Sequence, residues 1–490
     1  MKKHILCLLL AFLLTTPTLL SCGGAADVDE TTPTSQSTTP TETETETERL
    51  YPKYEANYNG ADFNMIYYDA VEACGWGNTI PCDIAVEELT GDALSDAVYT
   101  RNSTVAEMYN IKFGTKSTTS SGSMDEIRQQ VTAGTDDYDA AFPGWYSLYS
   151  MISGGYLTDM EPLIDFSMPW YDSKARNAFS IFGKSYATIS DLTYMDKMLS
   201  IVILFNKDMA IDYDLGDLYQ TVLDGDWTFD LMKTLCETVA TDVDGDGKMT
   251  TADRFGVISQ NDAVYQLYQS AGQQYCRINS EGIPELTVNN EEAVSVFQTV
   301  YDFMNDKNMF FNRMDMGVDT IGVCNMFANN QALFIMRQIQ CAFELRNMEA
   351  DFGIIPTPKV LPDQEDYYTS IGYTVTFCET IPAVVKDLDM TVTVLDTLAA
   401  ESYYSVSEAL YDKILGGKIV RDETSRKNLD IILDNRVYDP GCVYNFGSIT
   451  NTMMDGFKKG SNQVASLIAG VESKVTKAVE EFVEVLTDEE

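Results

Sequence analysis

The chain has 490 residues, of which 45% are hydrophobic and 11% aromatic, enough apolar material for a sizeable core. It carries 75 acidic against 33 basic residues, a formal net charge of −42. That balance excludes nucleic acid, which needs a basic surface, and disfavours highly anionic ligands unless a local pocket defies the average. Neutral polar solutes fit most easily. The only histidine is His4, so a Ser-His-Asp triad, a Cys-His dyad and a His-ligated zinc site are excluded from the body of the chain.

In chain order, Lys2 and Lys3 precede an apolar stretch at 5–14, and Leu19-Leu20-Ser21-Cys22 closes the segment. This is a charged n-region, a short h-region and a processing site, too short to span a membrane. The end resembles the lipobox of bacterial lipoproteins, with Leu20 in place of the smaller residue usually found there. The resemblance implies removal of residues 1–21 and a lipid on Cys22. Residues 22–55 read as a disordered Thr/Glu-rich tether: they bury too little to offset their ordering entropy, and Glu42, Glu44, Glu46 and Glu48 repel one another. As a flexible coil such a tether spans about 30 Å. The expected location is the outer face of a membrane.

The body opens with a strand at Asp62–Tyr68, a helix near Ser95–Tyr109, a strand at Ile111–Phe113, a helix at Asp125–Ala133 and a strand at Tyr138–Phe142. Further strands are expected at Ser185–Ile189, Ser200–Phe205, Phe255–Ser259 and Phe352–Ile355, and helices at Asp230–Ala240, Glu291–Met304, Met390–Ala400 and Lys474–Leu486. Strands alternating with helices predict an α/β layer with a largely parallel sheet. Cys74, Cys82, Cys236, Cys276, Cys324, Cys341, Cys378 and Cys442 include no CxxC pair. They are either disulfides, with Cys74 and Cys82 the first pair to test, or small buried hydrophobes.

The sharpest local motif starts at Asp242. Asp242, Asp244 and Asp246 supply oxygens at positions 1, 3 and 5, Gly247 the turn, Lys248 a carbonyl, Thr250 position 9 and Asp253 position 12. This is the spacing of an EF-hand calcium loop, with Asp253 shorter than the usual glutamate. A strand-like run follows, so a paired regulatory EF-hand is not expected. The loop resembles the single loops of dockerins and of some exported sugar-binding proteins. Its alternatives are a structural calcium site or an acidic turn without metal.

From Asp62 to about Phe446 the chain resembles the family 1 extracellular solute-binding proteins of carbohydrate-type ABC importers. The resemblance is carried in order by DALSDAVYTRNSTVAEMYNIKF (92–113), DDYDAAFPGWYSLYSMISGGYLTDMEPLI (136–164), FGKSYATISDLTYMDKMLSIVILFNKDM (182–209), GDWTFDLMKTL (225–235), FANNQALFIMRQ (327–338), DFGIIPTPKVLPDQEDYYTS (351–370), IPAVVKD (381–387) and GGKIVRDETSRKNLDIILDNRVYDPG (416–441). It implies a two-lobed, type II periplasmic-binding-protein-like α/β fold with an interlobe cleft. Lobe I is expected at 56–190 and again at 356–404, lobe II at 191–355 and at 405–490, with crossings near Thr188–Asp191 and Pro356–Pro358. It further implies capture of a sugar or oligosaccharide by hinge closure, delivery to an ABC permease, a monomer and no catalysis.

Ligands in α/β sheets sit beyond the carboxyl ends of strands. Trp145 and Tyr146, after the Tyr138–Phe142 run, are the candidate stacking platforms, with core packing as the alternative for Trp145. Asp191 is the candidate hydroxyl acceptor, or else a cap. Arg337, Gln338 and Tyr373 complete the candidate set, Arg337 alternatively being an ion-pair partner. Two other functions stay open: an exported glycoside hydrolase with paired carboxylates, and a calcium-stabilised surface adhesin.

Overall fold

The computed structural model describes residues 50–52, 54–73, 80–416 and 423–487. The signal, Cys22, positions 23–49 of the tether and Cys74 lie outside the described residues. The tether's expected end at 55 is too late, since the Tyr51 hydroxyl donates to Glu401 at 2.6 Å and the Tyr54 hydroxyl to Asp396 at 3.0 Å, which ties this stretch to the folded body. The first main sheet is built on Ala61–Tyr68, whose Phe63, Met65, Ile66, Tyr67 and Tyr68 are buried. Ile111–Thr118 and Ala140–Phe142 flank it, both parallel to it. Helix Ala93–Tyr109 links the first pair. Asp92 caps its start by accepting from the Ser95 N–H at 3.1 Å, and Asn110 ends it in the left-handed conformation that asparagine tolerates. Beyond Ala140–Phe142 the sheet continues through single antiparallel bridges, Ala141 with Thr380 and Thr188 with Glu379.

The second sheet runs Phe310–Asn312, Phe255–Ser259, Ala332–Gln338, Ile201–Asn206, Phe352–Pro356. All of these residues are buried, which explains the unbroken apolar runs in the sequence: a sheet covered on both faces needs no polar alternation. Ile201–Asn206 is antiparallel to both neighbours, so this sheet is mixed and only the first is parallel. The apolar pattern is blind to direction, because either orientation buries the same side chains.

Most helices and strands expected from periodicity are present with bounds shifted or extended by a residue or two, for example Phe229–Val239, Glu291–Asn305 and Leu388–Glu401. The Ser185–Ile189 run differs. A small hairpin, Ser180–Ile181 with Lys184–Ser185, turns at Phe182-Gly183, both with positive φ, and only the Thr188 bridge follows. The return to the first sheet also differs. After Pro356 the chain stays beside the second sheet, Lys359 bridging Thr228 and Ile371 bridging Ser200, before Phe377 bridges Gly144. The crossing therefore falls between Ile371 and Phe377 rather than at Pro356–Pro358: the prolines end a strand without ending its lobe.

Ser407–Ile414 still packs on Ala93–Tyr109, whereas Glu423–Asp434 packs on Phe352–Pro356, so the next passage comes after the expected position 405. The terminal helix Val464–Thr487 buries Leu467, Ile468, Val471, Val475, Val479, Phe482 and Leu486 at helical spacing. It touches both Trp145–Ser153 and Glu291–Asn305, bracing the two halves together. No helix among the described residues is long and apolar enough to cross a membrane.

Candidate functional site

Between the two sheets lies a buried network of charge. Asp172 caps helix Ser173–Phe179 with Oδ1, which accepts from the Lys174 and Ala175 N–H groups, leaving Oδ2 for Arg436 Nη2 at 2.6 Å. Arg436 Nε lies 3.3 Å from Asp196, and Lys197 Nζ lies 2.9 Å from Asp191 and 3.7 Å from Asp196. The Tyr438 hydroxyl stands 3.1 Å from Asp172 and 2.8 Å from Asp196. Burial is the largest influence on Asp172 and works to raise its pKa, but the Arg436 guanidinium, the Ala175 N–H and the Lys197 ammonium together outweigh it and hold the carboxyl below its usual range. Burial also opposes the Lys197 charge, and Asp191 with Asp196 outweighs it, pushing the ammonium up to about 12. Asp191 is thus an ion-pair partner in this structure rather than a free acceptor.

Trp145 does not stand in an open loop. It is the first residue of helix Trp145–Ser153 and 1% exposed. Its Nε1 donates to the Phe377 carbonyl at 3.1 Å, and Phe179 and Tyr438 pack against it with ring centroids at 5.7 and 6.0 Å. The core alternative is the one this structure realises. Tyr146, next to it on the helix, is 43% exposed, as one position of helical rotation requires.

Arg337 and Gln338 end the strand Ala332–Gln338 and are buried, yet Arg337 Nε and Nη1 and Gln338 Oε1 have no hydrogen-bond partner among the described residues. Gln340 Oε1 and Gln266 Oε1 are likewise unpartnered. Orphaned buried donors and acceptors each cost about 1–3 kcal/mol, so a group of them at a strand's carboxyl end calls for a ligand or water. Tyr373 belongs to the same neighbourhood, packed edge-on against Tyr265 at 5.1 Å, and Gly372 lies directly against Gln338. Asp262 faces this group. Burial raises its pKa, with Gln260 and then Arg337 pulling the other way.

Helix Ala263–Ser270 carries Tyr265 and Gln266 in this group and leads to Gly272, in the wall of a cavity of about 390 Å³. A volume of 300–1,000 Å³ suits a small-molecule ligand. One wall is helix Ser173–Phe179 (Lys174, Asn177), the other Gly272–Ile278 with Tyr368, and the floor is Asn435–Tyr438. Gly272 has φ +73°, and a Cβ there would stand 2.7 Å from the Tyr368 ring, so glycine lets that ring close on the backbone. The wall residues come from four separate stretches of chain, and their short-range patterns mark none of them. Arg436 and Tyr438 do fall in the family-like block 416–441, the one signal that pointed to them.

Away from this cavity, carboxylate oxygens of Asp242, Asp244 and Asp246 lie within 4.8 Å of one another, as three ligands of one cation must. Asp253 does not join them. Its Oδ1 accepts from the Val243 N–H at 2.8 Å and its Oδ2 from the Thr250 N–H at 2.7 Å, so it ties the loop's ends. Thr250 Oγ1 donates to the same oxygen, and the Lys248 N–H is held by Asp246. Asp242 likewise accepts from the Gly245 and Gly247 N–H groups, so the loop is bonded to its own backbone throughout, and what sets the first three acids apart is that their oxygens lie close enough to share a cation. Of the cysteines, Cys324 and Cys341 are brought together, Sγ to Sγ at 3.2 Å and buried.

No protein-family model and no curated protein matches the sequence. Solved structures do match. An ABC substrate-binding protein from Listeria monocytogenes in complex with cycloalternan is 16% identical with a TM-score of 0.54, over 87% of this chain and 99% of that one. The chain has the two-lobed fold of ABC-transporter solute-binding proteins. A maltose-binding periplasmic protein from L. monocytogenes in complex with maltose is 14% identical, TM-score 0.52, over 88% of this chain and 99% of that one. A solute-binding protein of an ABC transporter from Thermotoga lettingae bound with α-D-tagatose is 12% identical, TM-score 0.52, over 87% and 100%.

Proposed function

We propose that this protein is a lipid-anchored solute-binding protein of a carbohydrate ABC importer, taking a sugar or oligosaccharide between its two halves and handing it to a permease. The observation that carries the reading is the polar cavity of about 390 Å³ walled by both halves, in a fold whose solved relatives hold cycloalternan, maltose and tagatose. Tyr368 gives a ring face for sugar C–H groups, and Asn177, Gln274 and Asn435 offer amides for hydroxyls. Arg337 and Gln338 are not in that lining; in this reading their unpartnered atoms supply a second set of polar contacts to the sugar. The ligand leaves unchanged, and the receptor works as a monomer at the outer face of the membrane, held by lipid on Cys22.

A thermal-shift screen over mono- and oligosaccharides tests this. A ligand at a hundredfold its Kd stabilises by about 2.7 kcal/mol, and Tyr368→Ala weakens the shift. Shifts with peptides and none with sugars overturn the reading, and release of cleaved product points to the hydrolase. Cys22→Ser releases the protein into the medium if the lipid anchor is right. For the acidic loop we propose a structural calcium held by Asp242, Asp244, Asp246 and the Lys248 carbonyl. Calcium then raises the melting temperature of the wild type and not of Asp244→Ala.

A further inference from the structure

We propose that the saccharide taken by this cavity is anionic, its carboxylate or sulfate ester met by Lys174 and Arg277. The inference rests on the saccharide-capture reading and goes beyond it to the class of sugar. Among the described residues, the cavity's charged lining is Lys174, Arg277 and Arg436, with no Asp or Glu. In a chain where acids outnumber bases 75 to 33, a lining whose every charge is positive is the reverse of the average.

The three cations are not equivalent. Arg436 is spent on Asp172 and Asp196 beneath the floor. Lys174 and Arg277 make no ion pair among the described residues: Lys174 Nζ donates to the Asp434 carbonyl, and Arg277 Nη2 to the Gly272 carbonyl at 2.9 Å. Two acids of neighbouring segments each accept a hydrogen bond from another side chain and form no ion pair with Arg277. Glu285, its partner across the hairpin Cys276–Ile278 with Pro284–Leu286, accepts from Asn279 Nδ2 at 2.6 Å, and Glu292 accepts from Gln273 Nε2 at 2.5 Å.

Two exposed cations, neither in an ion pair among the described residues, thus line one cavity from two separate segments, helix Ser173–Phe179 and Gly272–Ile278, where both could meet one bound anion. A surrounding surface of negative sign makes such an anion selective for this spot, since everywhere else repels it.

The experiment is calorimetric titration of the full-length protein with three probes of equal length: a neutral glucose oligosaccharide, an oligogalacturonate and a sulfated oligosaccharide. The expected result is tighter binding of at least one charged probe at low salt, weakening as salt rises. Lys174→Gln should cost that probe about tenfold and Lys174→Gln/Arg277→Gln about a hundredfold, while Arg277→Lys restores most of the loss. Lys386→Gln, an exposed lysine beside Asp136, is the control and changes nothing. The two charged probes separate carboxylate from sulfate. Neutral oligosaccharide binding as tightly as both charged probes, with the double variant reducing all alike, overturns the anionic inference and leaves saccharide capture standing. Binding of no saccharide at all overturns both.

Discussion

The buried charges around Arg436 and the buried polar groups around Arg337 share one environment and differ in one respect. Arg436, Lys197, Asp172, Asp191 and Asp196 each have an opposite charge within 4 Å. Arg337, Gln338 and Gln340 have polar atoms with neither a hydrogen bond nor an ion pair among the described residues, whereas Asp196 Oδ1, which also lacks a hydrogen bond, still faces Lys197 at 3.7 Å. A folded chain keeps the first kind because breaking it is expensive. It keeps the second kind only where something else supplies the missing partner. The first cluster reads as the joint that holds the halves in register, the second as surface prepared for a ligand.

The contrast breaks most visibly at Arg436. Arg436→Met leaves Asp172 buried without its ion-pair partner and Asp196 with Lys197 alone, and should cost about 3–5 kcal/mol in denaturant unfolding. A loss below about 1 kcal/mol would mean the network is not structural. Glu379 sharpens the point from the other side. It is buried at the return crossing with Ser190 as hydrogen-bond donor, and burial pushes its carboxyl up to about 8. Its unfolded value is near 4.5, so the folded state keeps a proton that the unfolded state has lost. Stability from this group is full below pH 4.5 and falls as pH rises towards 8. Glu379→Gln should remove up to about 1.4 kcal/mol per pH unit from that slope, seen in unfolding measured from pH 4 to 9.

Trp145→Phe keeps an aromatic ring and deletes the Nε1 bond to Phe377, for an expected loss of about 1 kcal/mol with ligand affinity unchanged. An affinity loss much larger than the stability loss would return Trp145 to the binding surface. The smallest stability effect belongs to Arg337→Met. Because its guanidinium is only partly satisfied, unfolding should change by less than about 1 kcal/mol, while saccharide affinity drops about tenfold or more. If Arg337→Met and Arg436→Met destabilise equally, the two clusters are one and the distinction fails.

Much of the secondary structure was legible because each element buries a periodic face. Phe255–Ser259 and Glu291–Asn305 follow directly from their apolar spacing. Ile201–Asn206 was legible as a strand but not as an antiparallel one. Arg337 and Gln338 were singled out because they end an apolar strand-like run, and Tyr373 because it follows the expected return crossing, positions that the chain order reveals. Trp145 was found for the same reason and proved to be core, since its neighbours Phe179 and Tyr438 come from distant segments. Lys174 and Arg277 went unnoticed, and the strongly acidic average argued against an anionic ligand. An average over the whole chain says nothing about a cavity whose lining charges are all basic.

By itself the sequence determined the alternation of strands and helices, the absence of histidine chemistry beyond His4 and the acidic loop at Asp242–Asp253, all properties of residues near one another along the chain. Only the tertiary structure decided which polar residues are paired, which are left open and which line a cavity. Arg436 meets Asp172 across 264 positions, and Trp145 meets Phe377 across 232. Local periodicity fixes the face a side chain turns inward, but its partner is chosen by whichever distant segment packs there.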